Sequence, residues 1–223
     1  MKAWACLGIL LMALGCSDRP EQAPPIRSVP SVNVASIDSF LSQTISNAQR
    51  TVAGRPDSAE AWGELGQALE AAEFQAEAEL CYSQAAELDP QSARWIYLLA
   101  LRQMQDRPEL GLTNLTRAAR LEAATNDAVR LRLAGALVER GRREEAVPHL
   151  TRLLELQTNH PAARLELARI RLIENNPTQA AELLAPALTN GYTARAAMLL
   201  LSQVRQRLGE SEQAVALARQ AGA

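Results

Sequence analysis

Few side chains in this sequence could carry out covalent or acid–base chemistry. The candidates are one lysine, two histidines and three cysteines: Lys2, His149, His160, Cys6, Cys16 and Cys81. With lysine only at the second position, Schiff-base chemistry and a lysine-dependent phosphate loop are excluded for the rest of the chain. No HExxH, CxxC or GxSxG pattern occurs. We therefore expect no enzyme, no metal and no cofactor.

Cys16 stands in a context that predicts lipid modification. Residues 1–15 carry a lysine at the second position, continue as an apolar run too short to span a membrane, and end in Ala-Leu-Gly. This pattern is typical of a secretory signal peptide. The motif resembles the lipobox of bacterial lipoproteins, where the cysteine after the cleavage site carries acyl chains. The resemblance implies a lipid anchor at Cys16 in the bacterial cell envelope, facing the periplasm. Ser17, in place of Asp, implies the outer rather than the inner membrane. The alternative is an ordinary cleaved signal with an incidental cysteine.

The next segment predicts a tether and then a helix. Residues 16–36 contain four prolines among polar residues and have no helical period, so we expect a flexible tether. Residues 37–56 include an amphipathic stretch, which predicts a helix that caps the domain that follows.

Leucines recur at a spacing of 34 residues through the rest of the chain: Leu65, Leu99, Leu133, Leu167 and Leu201. The residue after each of them is small. A large apolar residue next to a small one is what two closely packed helices need. The period therefore predicts a repeated pair of helices.

The first repeat carries the most complete motif: Trp62, Leu65, Gly66, Leu69, Ala78, Tyr82, Ala85 and Pro90. At these positions the chain resembles a tetratricopeptide (TPR) repeat. The resemblance implies an all-α solenoid of about five units over 57–223, with an N-terminal half repeat. The units fall near 59–92, 93–126, 127–160, 161–194 and 195–223. Glycines typical of helix ends and prolines typical of helix starts, together with the period, predict ten helices. They cover residues 59–72, 75–88, 93–106, 109–122, 127–140, 143–157, 161–174, 177–189, 194–207 and 211–221.

Two positions depart from the repeat. Leu112 occupies a column that is otherwise alanine, and a shift of one residue would place Gly111 there instead. Pro186 falls inside a predicted helix and should kink it, because proline has no N–H to donate.

In the TPR family, the first helix of each unit lines a concave groove that binds peptides or partner helices. The resemblance implies a largely apolar groove here, formed by Tyr97, Leu101, Leu131, Leu165, Arg169, Leu199 and Gln203. The alternative for the leucines is that they fill gaps between neighbouring units. The groove lacks the Lys and Asn arrangement that clamps a C-terminal carboxylate in chaperone-docking members.

Charge is low overall and uneven along the chain. A net charge of -2 excludes a cationic nucleic-acid binder. Residues 59–92 contain eight acidic residues and no arginine, whereas residues 93–174 contain fourteen arginines and ten acidic residues. This asymmetry could steer a partner, or it could be an ordinary solvated surface with local ion pairs.

The expected function is that of a non-enzymatic, lipid-anchored adaptor that binds other envelope proteins or peptides in its groove, with no nucleic acid. A holdase or assembly factor for exported proteins, similar to the TPR subunits of cytochrome c maturation, is an alternative. A further alternative is a structural lipoprotein that self-associates through an apolar C-terminal face.

Overall fold

A computed structural model of the chain describes residues 25–35, 37–121, 127–189, 191 and 193–222. The predicted signal peptide and Cys16 lie outside the described residues. Within them there are eleven α-helices, one 3-10 helix and no strand. The helices are α1 (Ser39–Gly54), α2 (Ala59–Ala71), α3 (Gln75–Leu88), α4 (Ala93–Asp106), α5 (Pro108–Leu121), α6 (Asp127–Glu139), α7 (Arg143–Leu156), α8 (Pro161–Ile173), α9 (Pro177–Leu184), α10 (Ala194–Arg207) and α11 (Ser211–Gly222).

All ten helices predicted between residues 59 and 221 are present, and the all-α fold is confirmed. They pack as consecutive pairs, from α2 with α3 to α10 with α11. The helix α1 packs on α2 as the predicted half repeat. The five leucines of the 34-residue period are all buried, as the period predicts for the contacts between packed helices.

Local signals account for where the helices begin and end. Ser58 and Asn176 accept hydrogen bonds from backbone N–H groups of the first turns of α2 and α9. Gly141 and Gly209 adopt φ values of 74° and 82° after α6 and α10, a conformation that costs glycine little.

Both expected irregularities are present. Gly111 is buried at the close approach of α5 to α4, so the register of α5 is shifted by one residue, as predicted. The helix α9 ends at Leu184 and continues as a 3-10 helix, Ala185–Thr189, that contains Pro186. A 3-10 turn is a common way to continue where proline interrupts the α-helical pattern.

The buried apolar residues form two clusters. The larger extends from Ile45 in α1 to Ile170 in α8. The smaller extends from Leu165 in α8 to Val204 in α10. The helix α8 contributes to both clusters and joins them.

The described part of the predicted tether is not free. Residues 25–35, which we call the strap, run without regular secondary structure and pack against the repeats. Val32 and Val34 are partly buried, whereas Asn33 between them and Ser31 before them are exposed. The strap is therefore an extended segment with one apolar edge, and residues 25–35 of the predicted tether contact the helices.

Candidate partner-binding groove

The predicted groove is closed at its first unit. Gly63 lies in the same helix position as Tyr97, Leu131, Leu165 and Leu199, one repeat earlier. The ring of Trp95 occupies the space beside Gly63, so that a Cβ there would come within 2.4 Å of ring carbons. Trp95 is only 2% exposed. An indole from α4 thus fills the position where a ligand side chain would have to enter.

The middle of the predicted groove is partly accessible. Tyr97 and Leu101 on α4 and Leu131 on α6 are each half-buried. Tyr97 and Leu131 pack against the larger core cluster. Only part of each of these side chains is therefore accessible to a partner.

Leu165 does not line the groove. It is 7% exposed and belongs to the smaller core cluster. It fills the space between two successive units, which was the alternative explanation for the leucines of this column. Little of the Leu165 side chain is therefore exposed to a partner.

The last two units contain an open cavity of about 400 Å³ between α8 and α10. Three predicted groove residues lie in its wall: Arg169, Leu199 and Gln203. The other lining residues were not predicted: Leu172, Ile173, Ala196 and Leu200. Ile173 and Leu199 are 54% and 45% exposed, which is unusual for side chains of this size. The cavity is thus an apolar depression with a polar rim.

The charges at this cavity come from α8. The Arg169 guanidinium lies 2.8 Å from the Glu166 carboxylate, one turn earlier. Burial raises the pKa of Glu166, and Glu139 adds to the effect, while Arg169 opposes it. The Arg169 side chain remains 47% exposed. It can therefore meet an acidic group on a partner without first leaving a buried site.

Leu172 and Ile173 were not predicted from the sequence, because they lie outside the positions that were compared between repeats. Ile173 ends α8. Its exposure could not be read from the period, because an isoleucine at a helix end also fits a core position. The signal that was available is the run Ile170-Arg171-Leu172-Ile173, which has more apolar residues than one helix face can bury.

The uneven charge of the sequence is partly neutralised by ion pairs between the first two units. Acidic residues of α2 and α3 pair with arginines of α4 and of the connection after it, as in Arg94–Glu60, Arg102–Glu70 and Arg107–Glu79. Tyr82 donates a hydrogen bond of 2.8 Å to Glu70. These ion pairs therefore join the first two units to each other and leave fewer unpaired charges to steer a partner.

Two of the chemically capable side chains, Cys81 and His160, have structural roles. Cys81 is buried, and burial together with Glu77 raises the pKa of its thiol to about 12. His160 caps α8 by accepting a hydrogen bond of 3.2 Å from the Ala163 N–H. Among the described residues, no three His, Cys, Asp or Glu side chains come together as a metal site requires.

The C-terminal helix pair leaves apolar surface uncovered. Val215 on α11 is 50% exposed and lines a shallow cavity of about 270 Å³ together with Ala214. No helix of the described part has the length and apolar content needed to cross a lipid bilayer.

Two segments match family models described as tetratricopeptide repeat. Residues 59–92 match one of them, and residues 137–201 match another. The first match coincides with the unit formed by α2 and α3, and the second covers the end of α6 through to the middle of α10. No curated protein sequence matches the chain.

Solved structures share the fold at low sequence identity. YrrB, described as a TPR protein with an unusual peptide-binding site, superposes with a TM-score of 0.68 at 18% identity over 79% of this chain and 91% of that chain. PilW, a type IV pilus biogenesis factor, gives 0.65 at 18% identity over 81% and 84%. The pilF protein of Pseudomonas aeruginosa gives 0.61 at 24% identity over 76% and 79%.

Proposed function

We propose that this chain, which contains tetratricopeptide repeats, is a non-enzymatic adaptor that binds a partner protein in the cavity between α8 and α10. Proteins of this fold are generally interaction modules rather than catalysts. The observation that carries the proposal is the exposure of Ile173 and Leu199 in one cavity of about 400 Å³. Exposed apolar side chains grouped in a concavity are typical of a binding site.

The cavity favours a particular kind of ligand. Its floor contains Leu172 and Leu200, which are nearly buried and would contact an apolar side chain. Its rim carries Arg169, which can pair with a carboxylate. The ligand is therefore a peptide segment or helix that presents an apolar side chain next to an acidic one. The peptide-binding site described for YrrB, which has the same fold, supports this class of ligand.

The second part of the proposal is location. We propose that acyl chains on Cys16 anchor the protein in the bacterial envelope, with the repeats in the periplasm, and in the outer membrane rather than the inner. The signal motif before Cys16 and the serine after it support this assignment. A Cys16→Ala variant should leave the membrane fraction while its far-ultraviolet circular dichroism stays unchanged. A variant that remains in the membrane fraction would contradict the anchor.

The binding site is tested by photocrosslinking in living cells. A photoreactive residue at Leu199 should capture one or two discrete proteins, and one at Arg152 should capture none of them. Arg152 is a suitable control because it is exposed on α7 and away from the cavity. The same products from both positions would refute the proposal.

The crosslinking pattern also separates the alternatives. Many different exported proteins captured from Leu199 would indicate a holdase, which binds unfolded chains without selecting one. A product with twice the mass of the chain would indicate self-association. In that case a probe at Val215 on the uncovered face of α11 should give the same product in higher yield.

A further inference from the structure

The strap lies against the second helices of the repeat units, whereas the proposed partner cavity lies between two first helices, α8 and α10. It contacts α1 and α3, each of which is the second helix of its unit. The Arg27 N–H donates to Gln84 Oε1 on α3 at 2.9 Å. The Pro30 carbonyl accepts from Gln49 Nε2 on α1 at 2.8 Å. Two glutamine side chains from neighbouring units thus hold the main chain of one extended segment.

The two glutamine contacts do not depend on the side chains of the strap. The two glutamines bind backbone groups, which every peptide offers. Side-chain recognition is limited to Val29, Val32 and Val34, which pack partly buried against the core, and to the Arg27–Glu87 ion pair at 2.5 Å. Both members of that ion pair are more than a third exposed, so it contributes little to binding.

The fit of the strap is incomplete at Gln84. This residue is fully buried, and its Nε2 has no hydrogen-bond partner among the described residues. The orientation of the amide is fixed because Oε1 accepts from Arg27 N–H. A buried donor without an acceptor destabilises the complex relative to one in which it is satisfied. A peptide that placed a carbonyl beside Nε2 would bind this groove better than the strap does.

A further cavity adjoins the strap at Arg27. A cavity of about 550 Å³ extends from Arg27 along α3 to α5. Leu80 and Leu110 in its wall are 49% and 42% exposed. A segment longer than the strap would therefore find further apolar surface at this end.

We propose that the groove between α1 and α3 is a second peptide-binding site, which the strap occupies as an intramolecular competitor. The ligand is an extended segment of a partner protein with β-branched side chains two residues apart. These side chains pack on the core as Val32 and Val34 do, and the backbone of the segment binds Gln49 and Gln84. The partner must displace the strap. A short linker gives a tethered segment an effective concentration of about a millimolar, so binding in trans is weakened but not abolished.

The probe for this site is a fluorescent peptide with the sequence of residues 25–35, titrated against the full chain and followed by anisotropy. The host is the variant Val32→Asp, Val34→Asp, in which the strap is disabled. We expect the peptide to bind this variant at least tenfold more tightly than the original chain, because the competitor is lost. A control peptide carrying the same two aspartates should bind neither protein.

A further variant tests the position of the peptide. Adding Gln49→Ala to the strap-disabled host should weaken peptide binding about fivefold, the usual effect of losing one hydrogen bond. Circular dichroism and the melting temperature of each host must show that the repeats are folded; if the strap-disabled host does not fold, Val34→Ser alone replaces it. Equal binding to the original and strap-disabled chains, or binding of the aspartate peptide, would overturn the proposal.

Discussion

Gly111 lies directly against the backbone of Met104. A Cβ at position 111 would stand 2.7 Å from the Met104 amide nitrogen and 2.9 Å from the Ala100 carbonyl oxygen. Backbone atoms of a packed helix cannot move aside as the end of a flexible side chain can. The closeness of α4 and α5 therefore requires glycine at this position.

A Gly111→Ala substitution should accordingly destabilise the protein, by about 1–3 kcal/mol, as is usual for overpacked helix contacts. The matched control is Gly135→Ala in α6, where nothing lies within 4 Å of the added Cβ. That change should stabilise the chain by about 0.5–1 kcal/mol, because alanine favours the helix. Urea unfolding of both variants measures the difference, and equal effects would contradict the close packing of α4 on α5.

Leu165 and Leu199 occupy equivalent positions in neighbouring units but should respond differently to truncation. Leu165 is buried in the smaller cluster, so Leu165→Ala should cost about 2–5 kcal/mol of stability. Leu199 is exposed, so Leu199→Ala should change stability by about 0.5 kcal/mol or less. The Leu199→Ala variant should remain folded and yet co-purify with less of the partner that crosslinking captures. Full partner recovery with that variant would argue against the cavity.

The contribution of the hydrogen bond from Tyr82 to Glu70 should appear as a difference in stability between two Tyr→Phe variants. Tyr82→Phe should cost about 1–2 kcal/mol, because the hydroxyl donates to a charged acceptor at 2.8 Å. Tyr97→Phe should cost about 0.5 kcal/mol or less, since the Tyr97 hydroxyl makes no hydrogen bond within the described part of the chain. Thermal unfolding compares the two. Similar losses would mean that the hydroxyl of Tyr82 contributes nothing specific.

His149 should make the protein less stable as the pH falls. Burial lowers its pKa from 6.5 in the folded chain, Arg130 lowers it further, and Glu145 opposes them. The unfolded chain therefore binds the proton first as the pH drops below about 6.5, and the free energy of unfolding decreases until the folded pKa is passed. The loss in melting temperature between pH 7.5 and pH 5.0 should be smaller in His149→Gln. Identical losses would show that His149 is not the responsible group.

Cys81 should be unreactive in the folded protein. With a pKa raised to about 12 by burial, its thiol is almost entirely protonated at pH 8, and the thiolate is the reactive form. Iodoacetamide should modify Cys81 only after unfolding in guanidinium, as measured by mass spectrometry of the peptide that contains it. Rapid modification without denaturant would show that α3 opens readily.

The sequence predicts the helices well because their signals are local. The leucine at every 34th position, the glycines after α6 and α10, and the proline at the start of α8 all act within one or two turns. The shift at Gly111 could also be predicted, since a small residue at a close helix approach is required by sterics alone.

The groove could be predicted only in part, because its accessibility depends on residues from other units. Trp95 comes from the second unit and fills the position beside Gly63 in the first. Leu165 is covered by neighbours in the last units. Neither relationship is visible in a column of equivalent residues, which treats every unit as having the same surroundings.

The strap was missed for a different reason. Its prolines and polar residues are typical of a flexible segment, and they outweigh the alternation of Val32 and Val34 with exposed neighbours. Its partners Gln49 and Gln84 lie 19 and 57 residues from the atoms they bind. A contact over such a separation leaves no periodic signal in the sequence.

Because the core is divided into two clusters, we expect the two ends of the molecule to open at different free energies. Residues from Ile45 to Ile170 share one continuous core, whereas α9, α10 and α11 depend on the smaller cluster and are joined to the rest through α8. In a linear array each unit is held only by its neighbours, so the end with the smaller core opens at lower free energy than the whole. The proposed partner cavity lies in that end. A ligand bound there would therefore raise the free energy of local opening of the last helices far more than that of the first units.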